Sequence, residues 1–210
     1  MADRTPREEV DWEDKWQELH NAIGRAIAAW STLEHALARA FAITLGLPEH
    51  RTERMFFAMH TFSAKHDLLW EAIQSNPLPP GTDATRQSVF KSACRKAERY
   101  APTRNKLAHS TPAIAAHGSL VLGGVITPNV IHTDVNVTLT QILTVKAICE
   151  ASISFRALAK VVADACDESN QASLETLLEH VRDLAPCPYS DSLGLRAVPT
   201  QALPPEPSRG

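Results

Sequence analysis

The sequence predicts an all-α protein: a four-helix bundle with a small β-hairpin between its third and fourth helices, an extra short C-terminal helix and a disordered tail. Apolar residues recur at spacings of three and four through most of residues 11–184, which is typical of amphipathic helices. A β-rich run with several glycines interrupts this periodicity only within residues 113–137. Residues 185–210 are rich in proline and are expected to be disordered, and the polar residues 1–10 are expected to be flexible.

The composition favours one cytoplasmic domain. With 210 residues and 44% hydrophobic content, the chain can bury one sizeable core. Its net charge of −3 excludes a generally basic protein, so any contact with nucleic acid must come from a local patch. The four cysteines show no C-x-x-C spacing and the N-terminal residues form no apolar signal segment, so a reducing cytoplasm is expected. No apolar run approaches the roughly 20 residues of a membrane span, so no membrane contact is expected.

The first helix is predicted from Asp11 to about Leu45, because no proline interrupts it and one apolar face recurs along it. The residues of that face are Ile23, Ile27, Trp30, Leu37 and Phe41. Gly24 lies inside this helix at a cost of about 1 kcal/mol relative to Ala. Either another helix approaches closely at Gly24, or the glycine is simply tolerated.

A second helix is predicted from Arg51 to about Gln74, where an Asn-Pro-Leu-Pro-Pro-Gly turn ends it. Its apolar stripe includes Met55, Met59, Phe62, Leu69 and Ile73. His66 falls on the same stripe, where an imidazole is more often a satisfied core residue than a ligand. Lys65 beside it has the reach for a phosphate, but a solvated lysine is the expectation.

The third helix should begin after Thr82 or Asp83, which are good N-caps, and run toward residues 104–109. Pro102 lacks a backbone donor, so it should kink this helix or start a fresh turn at Thr103. The β-rich run that follows predicts an antiparallel hairpin with its turn near residues 127–129.

The fourth helix is predicted to open with a capping box of Thr138 and Gln141 and to run to about Asp167. A shorter amphipathic helix follows near residues 171–184. Its apolar stripe consists of Leu174, Leu177, Leu178, Val181 and Leu184. This helix either caps the bundle or forms an oligomer contact.

The third predicted helix closes with Arg104-Asn105-Lys106-Leu107-Ala108-His109, which places a fixed cation, an amide and an imidazole within six residues. The guanidinium of Arg offers a planar fork to phosphate oxygens, and an imidazole exchanges protons near neutral pH. Arg54 and His60 have a similar spacing, but there an apolar run follows the arginine. The combination at residues 104–109 therefore predicts phosphate chemistry.

Glu34 is an anomaly on the apolar face of the first helix, since it falls between Trp30 and Leu37. An unpaired carboxylate is costly on such a face, so Glu34 is expected to have a partner. It either orients Arg104 or His109 from the bundle interior, or lies at the edge of the face and reaches water.

Four basic residues are candidate RNA contacts: Lys91, Arg95, Arg99 and Lys106. The first three form an i, i+4, i+8 row that leads toward Arg104 and could follow a phosphate backbone. The alternative is an ordinary solvated helix face. No cluster of carboxylates, His or Cys has a metal-ligand spacing, so no metal and no cofactor is predicted.

Arg104, Asn105 and His109 resemble the R-x4-6-H motif of the HEPN superfamily, in which a polar residue, often Asn, follows the Arg. The resemblance extends to an approximate helical layout over residues 11–184. It implies a compact helical bundle, commonly a homodimer, often a metal-independent endoribonuclease of toxin–antitoxin or phage-defence systems. The partners it implies are RNA and an antitoxin or nucleotidyltransferase. In that mechanism His109 is the general acid or base, Arg104 stabilises charge on the phosphoryl group and Asn105 positions it.

Three hypotheses remain open at this point. The first is the HEPN-type ribonuclease, and the second is a HEPN-like module that binds a nucleotide or a protein without turnover. In the third, Arg104 and His109 form ordinary helix-end hydrogen bonds in a structural domain. The weak overall basicity disfavours the first hypothesis, whereas the Arg-Asn pair beside a helix-ending His disfavours the third.

Overall fold

The computed structural model describes residues 12–75, 84–110, 112–114, 120–122, 143–167 and 173–187. Within these ranges the chain forms six α-helices: α1 Trp12–Leu45, α2 Glu49–Ala58, α3 Phe62–Ser75, α4 Ala84–His109, α5 Val145–Cys166 and α6 Leu174–Asp183. It also forms three short strands: β1 Pro112–Ile114, β2 Leu120–Leu122 and β3 Leu143–Thr144. Helices dominate the described residues, so the predicted all-α class is confirmed.

The long helix α1 is the centre of the core, because it packs along α5 and also contacts α2, α3 and α4. The ring of Trp30 on α1 lies 5.1 Å from that of Phe155 on α5, centre to centre, in an edge-to-face arrangement. Tyr100 of α4 lies 5.8 Å from the same Phe155 ring. Such aromatic pairs contribute about 0.5–1.5 kcal/mol each beyond the area they bury. The first predicted helix is confirmed, since α1 spans Trp12–Leu45 and buries Leu37 and Phe41 on the predicted face.

The second predicted helix is two helices, α2 and α3, and the prediction of one continuous helix is wrong. Met59 has extended backbone angles (φ −74°, ψ 120°) and ends α2. The hydroxyl of Thr61 accepts a hydrogen bond from the N–H of Ala64 at 3.2 Å, which caps the start of α3. The break also changes which residues face inward, since Met55 of the predicted stripe is 49% exposed.

The helix α4 begins at Ala84, as the predicted caps at 82 and 83 require, and ends at His109. It continues through Pro102, so no fresh turn begins at Thr103. Proline removes only one backbone donor, the one that would have bonded the carbonyl of Glu98. The neighbouring turns stay helical, and α4 carries the whole 104–109 segment.

Short antiparallel strands lie between α4 and α5, as predicted. The strand β2 is central: it pairs with β1, Ala113 opposite Val121, and with β3, Val121 opposite Thr144. Residues 115–119 join β1 to β2, so the turn predicted near residues 127–129, which falls outside the described residues, does not join them.

The start of α5 differs from the prediction. Thr144 is the N-cap, and its side chain accepts a hydrogen bond from the N–H of Ala147 at 3.2 Å. The predicted capping box of Thr138 and Gln141 falls outside the described residues. Because residues 143–144 form β3, a helix starting at Thr138 is excluded, and the prediction of that start is wrong.

The short C-terminal helix α6 lies within the predicted range of residues 171–184 and packs on α4 and α5. The chain beyond it stays against α4, since the hydroxyl of Tyr100 donates to the carbonyl of Ala185 at 2.8 Å and Cys187 is buried. Ordered contacts therefore extend past the tail boundary predicted at residue 185. Residues 188–210 and 1–10 lie outside the described residues. None of the helices described here is both long and apolar enough to cross a membrane.

Candidate functional site

A cleft of about 550 Å³ lies between α3 and α4, with α1 and the segment joining α2 to α3 completing its walls. Arg104, Asn105 and His109 line this cleft, and so does Glu34. Positions five residues apart point about 140° away from each other on an ideal helix. Both Arg104 and His109 nevertheless line the cleft, although α4 is helical through His109. The volume lies in the range of roughly 300–1,000 Å³ that is typical of small-molecule sites.

The guanidinium of Arg104 is held by its neighbour. Its Nη1 donates to the side-chain oxygen of Asn105 at 3.2 Å, rather than to a carbonyl at the helix end. Arg104 Nε is buried and has no hydrogen-bond partner among the described residues. A buried donor without a partner costs about 1–3 kcal/mol, so a hydrogen bond from Nε to an anion would remove an unfavourable contribution. This geometry disfavours a purely structural role for Arg104.

His109 is the last residue of α4, and its side chain is exposed at the edge of the cleft. An exposed imidazole can exchange protons with water between turnovers. The position combines access to solvent with access to the cleft, which general acid–base catalysis requires.

Glu34 has the partner that its position demands, but that partner is Lys65 of α3 rather than a residue of the 104–109 segment. The carboxylate oxygen Oε1 of Glu34 lies 3.2 Å from Lys65 Nζ, and both side chains are largely buried. Lys65 also lies over the ring of Phe57, with Nζ 4.8 Å from its centre. The expectation that Lys65 is solvated is therefore wrong. Its positive charge is compensated twice, by a carboxylate and by an aromatic face.

His66 also faces the cleft, and its side chain is only 12% exposed. Its Nδ1 lies 3.1 Å from Oδ1 of Asp67, and its ring stacks on Trp70 at 6.2 Å with an angle of 9° between the planes. Its Nε2 is buried and has no hydrogen-bond partner in the part of the chain that the structure describes. The sequence placed His66 on an apolar stripe and gave no indication of Asp67 as its partner.

The four basic candidates for RNA contact lie elsewhere on or near α4. Lys91 and Lys106 are half-buried, whereas Arg95 and Arg99 are exposed. The guanidinium of Arg95 lies 5.1 Å above the Trp70 ring. Burial lowers the pKa of Lys106. None of these four described side chains lines the cleft, so the row of Lys91, Arg95 and Arg99 does not continue into it.

Cys94 lies close to the site but cannot serve as its nucleophile at neutral pH. Its Sγ contacts the backbone oxygen of His66 at 4.0 Å. Burial, together with the nearby carboxylates of Glu98 and Asp67, raises the pKa of the thiol to about 12. A thiol rather than a thiolate is therefore present, and only the thiolate is strongly nucleophilic. Among the described residues, no three His, Cys, Asp or Glu side chains group closely enough to hold a metal ion.

Comparisons of the chain with protein-family models, curated proteins and solved structures find no match in any of the three. A functional assignment therefore has to come from the residues of the cleft and their geometry. Sequence reasoning missed Asp67 and Glu98, and it also missed the break before α3. His60 and Thr61 line the cleft there, and the N-cap residue Thr61 was the sequence feature that could have revealed the break.

Proposed function

We propose that this protein is a metal-independent endoribonuclease of the HEPN type that acts at the cleft between α3 and α4. Arg104 and His109 carry the reaction, and Asn105 supports the guanidinium. The observation that carries the proposal is that all three residues of the R-N-x3-H pattern line one cleft of suitable volume. The resemblance to HEPN proteins extends the proposal to a role as a toxin or phage-defence effector in the cytoplasm.

The proposed chemistry takes its nucleophile from the substrate. The ribose 2′-oxygen attacks the adjacent phosphorus and loses its proton, while the bond from phosphorus to the 5′-oxygen breaks and that oxygen gains a proton. His109 takes or gives one of these protons, and Arg104 binds the phosphoryl oxygens as their charge grows. The products are a 2′,3′-cyclic phosphate and a 5′-hydroxyl end. No metal-bound hydroxide is needed, because the attacking oxygen is already present in RNA.

Arg104 supports this role through its geometry. One side of its guanidinium bonds Asn105, while Nε is buried without a partner among the described residues. A guanidinium held on one side and unsatisfied on another is pre-organised for phosphate, whereas a fully paired one would first have to break its bonds. Lys65 does not compete for the same phosphate, since Glu34 neutralises it.

The proposal includes partners. RNA is the substrate, and the resemblance favours a homodimer in which two such clefts face each other, with an antitoxin or nucleotidyltransferase restraining the activity. The exposed Arg95 and Arg99 would then contact RNA outside the cleft. A net charge of −3 makes such local contacts necessary, because the protein as a whole does not attract RNA.

A second candidate function is a HEPN-like module that binds a nucleotide or a protein without cutting. The observation that favours it is the charge of the cleft, where, among the described residues that line it, Glu34, Asp67 and Glu98 face two fixed cations, Lys65 and Arg104. An excess of carboxylates repels a polyanion unless imidazoles become protonated. Binding without turnover would leave RNA intact under all conditions.

Inducible expression in a bacterial host separates the two functions. Wild-type protein should arrest growth and degrade cellular RNA, whereas Arg104→Ala should do neither at the same protein level. Arg54→Ala is the matched control, because Arg54 is exposed on α2 and belongs to the Arg-to-His spacing that lacks the polar residue. Equal RNA decay with wild type and Arg104→Ala, or none with either, would reject the ribonuclease.

A further inference from the structure

The motif at residues 104–109 supplies one imidazole from each chain, but attack of the 2′-oxygen on phosphorus involves two proton movements within one cleft. One proton leaves the 2′-hydroxyl and another reaches the departing 5′-oxygen. A second proton-transferring side chain in the same cleft would allow the protein to carry out both proton transfers directly, with no water molecule as the acid or base. His66 is an imidazole that lines this cleft from α3, while His109 lines it from α4.

We propose that His66 is the general base of this reaction and that His109 is its general acid. This inference rests on the proposed ribonuclease function. His66 Nε2 takes the proton of the 2′-hydroxyl, the 2′-oxygen bonds to phosphorus, and His109 gives its proton to the 5′-oxygen as that bond breaks. The cycle closes when His66 releases its proton to water and His109 regains one.

The hydrogen bond to Asp67 fixes which nitrogen of His66 can accept a proton. A carboxylate only accepts hydrogen bonds, so the contact of 3.1 Å places the proton of neutral His66 on Nδ1. Nε2 then carries the free lone pair and is the nitrogen without a partner among the described residues. Stacking on Trp70 and packing against Phe62 hold the ring plane. This is the arrangement of a base that a second group orients.

Glu98 of α4 covers the accepting nitrogen in the free cleft. Its Oε2 lies 3.8 Å from His66 Nε2, and its side chain is 65% exposed. A side chain that is mostly in water can rotate away at little cost, and an entering phosphodiester repels it. Among the described residues, the titratable and charged groups around His66 are Asp67 of α3, His60 before α3, the Glu34–Lys65 pair between α1 and α3, and four residues of α4: Cys94, Glu98, Arg104 and His109.

The rate of RNA cleavage as a function of pH tests this assignment. Wild type should give a bell-shaped profile, since one imidazole must be neutral and the other protonated. His66→Gln should lower the rate roughly 10²- to 10⁴-fold and lose the inflection on the acid side of the bell. His109→Gln should lose the inflection on the alkaline side. His180→Gln, an exposed histidine on α6, is the control and should keep the full profile.

A modified substrate separates the two roles. When sulfur replaces the bridging 5′-oxygen, the leaving thiolate needs no proton, so His109→Gln should regain most of its lost rate. His66→Gln should stay slow on this substrate. Rescue of His66→Gln instead, or an acid-side inflection that persists in this variant, would overturn the assignment.

Asp67→Asn gives a second variant in case His66→Gln unfolds. The Asp67 side chain is 71% exposed, so its replacement leaves the packing intact. An amide can donate to Nδ1 and favour the other tautomer, so the rate should fall while the imidazole remains. A wild-type rate for Asp67→Asn would contradict the inference. If wild type cuts RNA and Arg104→Ala does not, the ribonuclease proposal is supported independently of His66. A wild-type rate for the His66 variants would then reject only the assignment of His66 as the general base.

Discussion

Glu34 Oε1 lies 3.2 Å from Lys65 Nζ, and this contact ties α1 to α3 beside the cleft. The two side chains are 12% and 10% exposed, so neither charge is well solvated on its own. Lys65 is further enclosed by the rings of Phe56 and Phe57. The pair therefore fixes the wall from which His66, the next residue along α3, enters the cleft.

Glu34→Ala should lower the free energy of unfolding by roughly 1–3 kcal/mol, because it leaves the Lys65 ammonium buried without its carboxylate. The double variant Glu34→Ala/Lys65→Met should lose less than the sum of the two single losses, as expected for groups in contact. Urea denaturation measures all three variants. The matched control is the exposed pair of Lys160 and Asp164 at 2.8 Å, where Lys160→Ala should cost less than about 1 kcal/mol. Strict additivity at Glu34 and Lys65 would mean that the pair is not coupled.

Gly24→Ala should stabilise the protein by about 0.5–1 kcal/mol. Gly24 is exposed within α1, and a Cβ built there meets nothing within 4 Å, so no other helix approaches it closely. Alanine removes the conformational freedom that glycine has in the unfolded chain. Gly46→Ala is the contrasting variant. Gly46 follows α1 with a φ of 63°, a left-handed conformation that strains alanine, so this substitution should destabilise the protein. Thermal unfolding measures both, and a lower midpoint for Gly24→Ala would contradict the open surroundings of Gly24.

The structure predicts that stability falls at alkaline pH. Burial is the main cause that raises the pKa of Cys94 and of Cys166 from 9.0 to about 12. Each thiol therefore contributes stability that is fully present below pH 9 and is lost as the pH rises toward 12, because the unfolded chain loses its protons first. At pH 10 the loss should reach about 1 kcal/mol for each thiol.

Urea denaturation at pH 8 and pH 10 measures this loss. Cys94→Ala removes one of the two thiols whose pKa is raised to about 12. Between these pH values, the free energy of unfolding of this variant should therefore fall by about 1 kcal/mol less than that of wild type. Tyr100 adds to the same trend, since burial raises its pKa to about 12. An identical decline for wild type and Cys94→Ala would show that the Cys94 thiol is not buried as the structure has it.

The long helices could be predicted from the sequence because their signals are local. Apolar spacing located α1, and the cap-type residues in the sequence at 82 and 83 together with Pro112 predicted the bounds of α4. The break between α2 and α3 was missed, because apolar residues continue across it and only the cap at Thr61 marks it. The predicted start of α5 was wrong, because Thr138 and Thr144 both resemble N-caps in the sequence. In the described chain, Thr144 is the one whose side chain bonds the N–H of a first-turn residue.

The candidate site was predicted in part. The spacing of Arg104, Asn105 and His109 selected three residues that line one cleft. The partner of Glu34 could not be predicted, because Lys65 lies 31 residues away and the contact depends on how α3 packs against α1. The sequence predicted His66 to be a core residue, because it too could not show how α3 packs against its neighbours. Its stripe position shows that it faces inward, but not that the interior there is an open cleft.

Arg104→Lys should not restore cleavage. Lysine keeps the charge but lacks the planar fork, so it can neither bind two phosphate oxygens side by side nor keep the present bond to Asn105 with the same geometry. Cleavage rates of purified protein should fall about equally in Arg104→Lys and Arg104→Ala. Arg54→Lys, at an exposed residue of α2 outside the cleft and outside the proposed RNA contacts, is the control and should change the rate little. A near wild-type rate for Arg104→Lys would show that only a positive charge is needed at this position.

The proposed cleavage of RNA in the cleft depends on the substrate's own 2′-hydroxyl. Its most direct measurement uses purified protein, excess chelator and a labelled oligonucleotide that is either all RNA or carries a single 2′-deoxyribose at the cleavage position. We expect that the RNA is cut to a 2′,3′-cyclic phosphate end, that the deoxy substrate stays intact at that position, and that Arg104→Ala cuts neither. Cleavage that the chelator abolishes, or that proceeds equally at the deoxyribose, would contradict it.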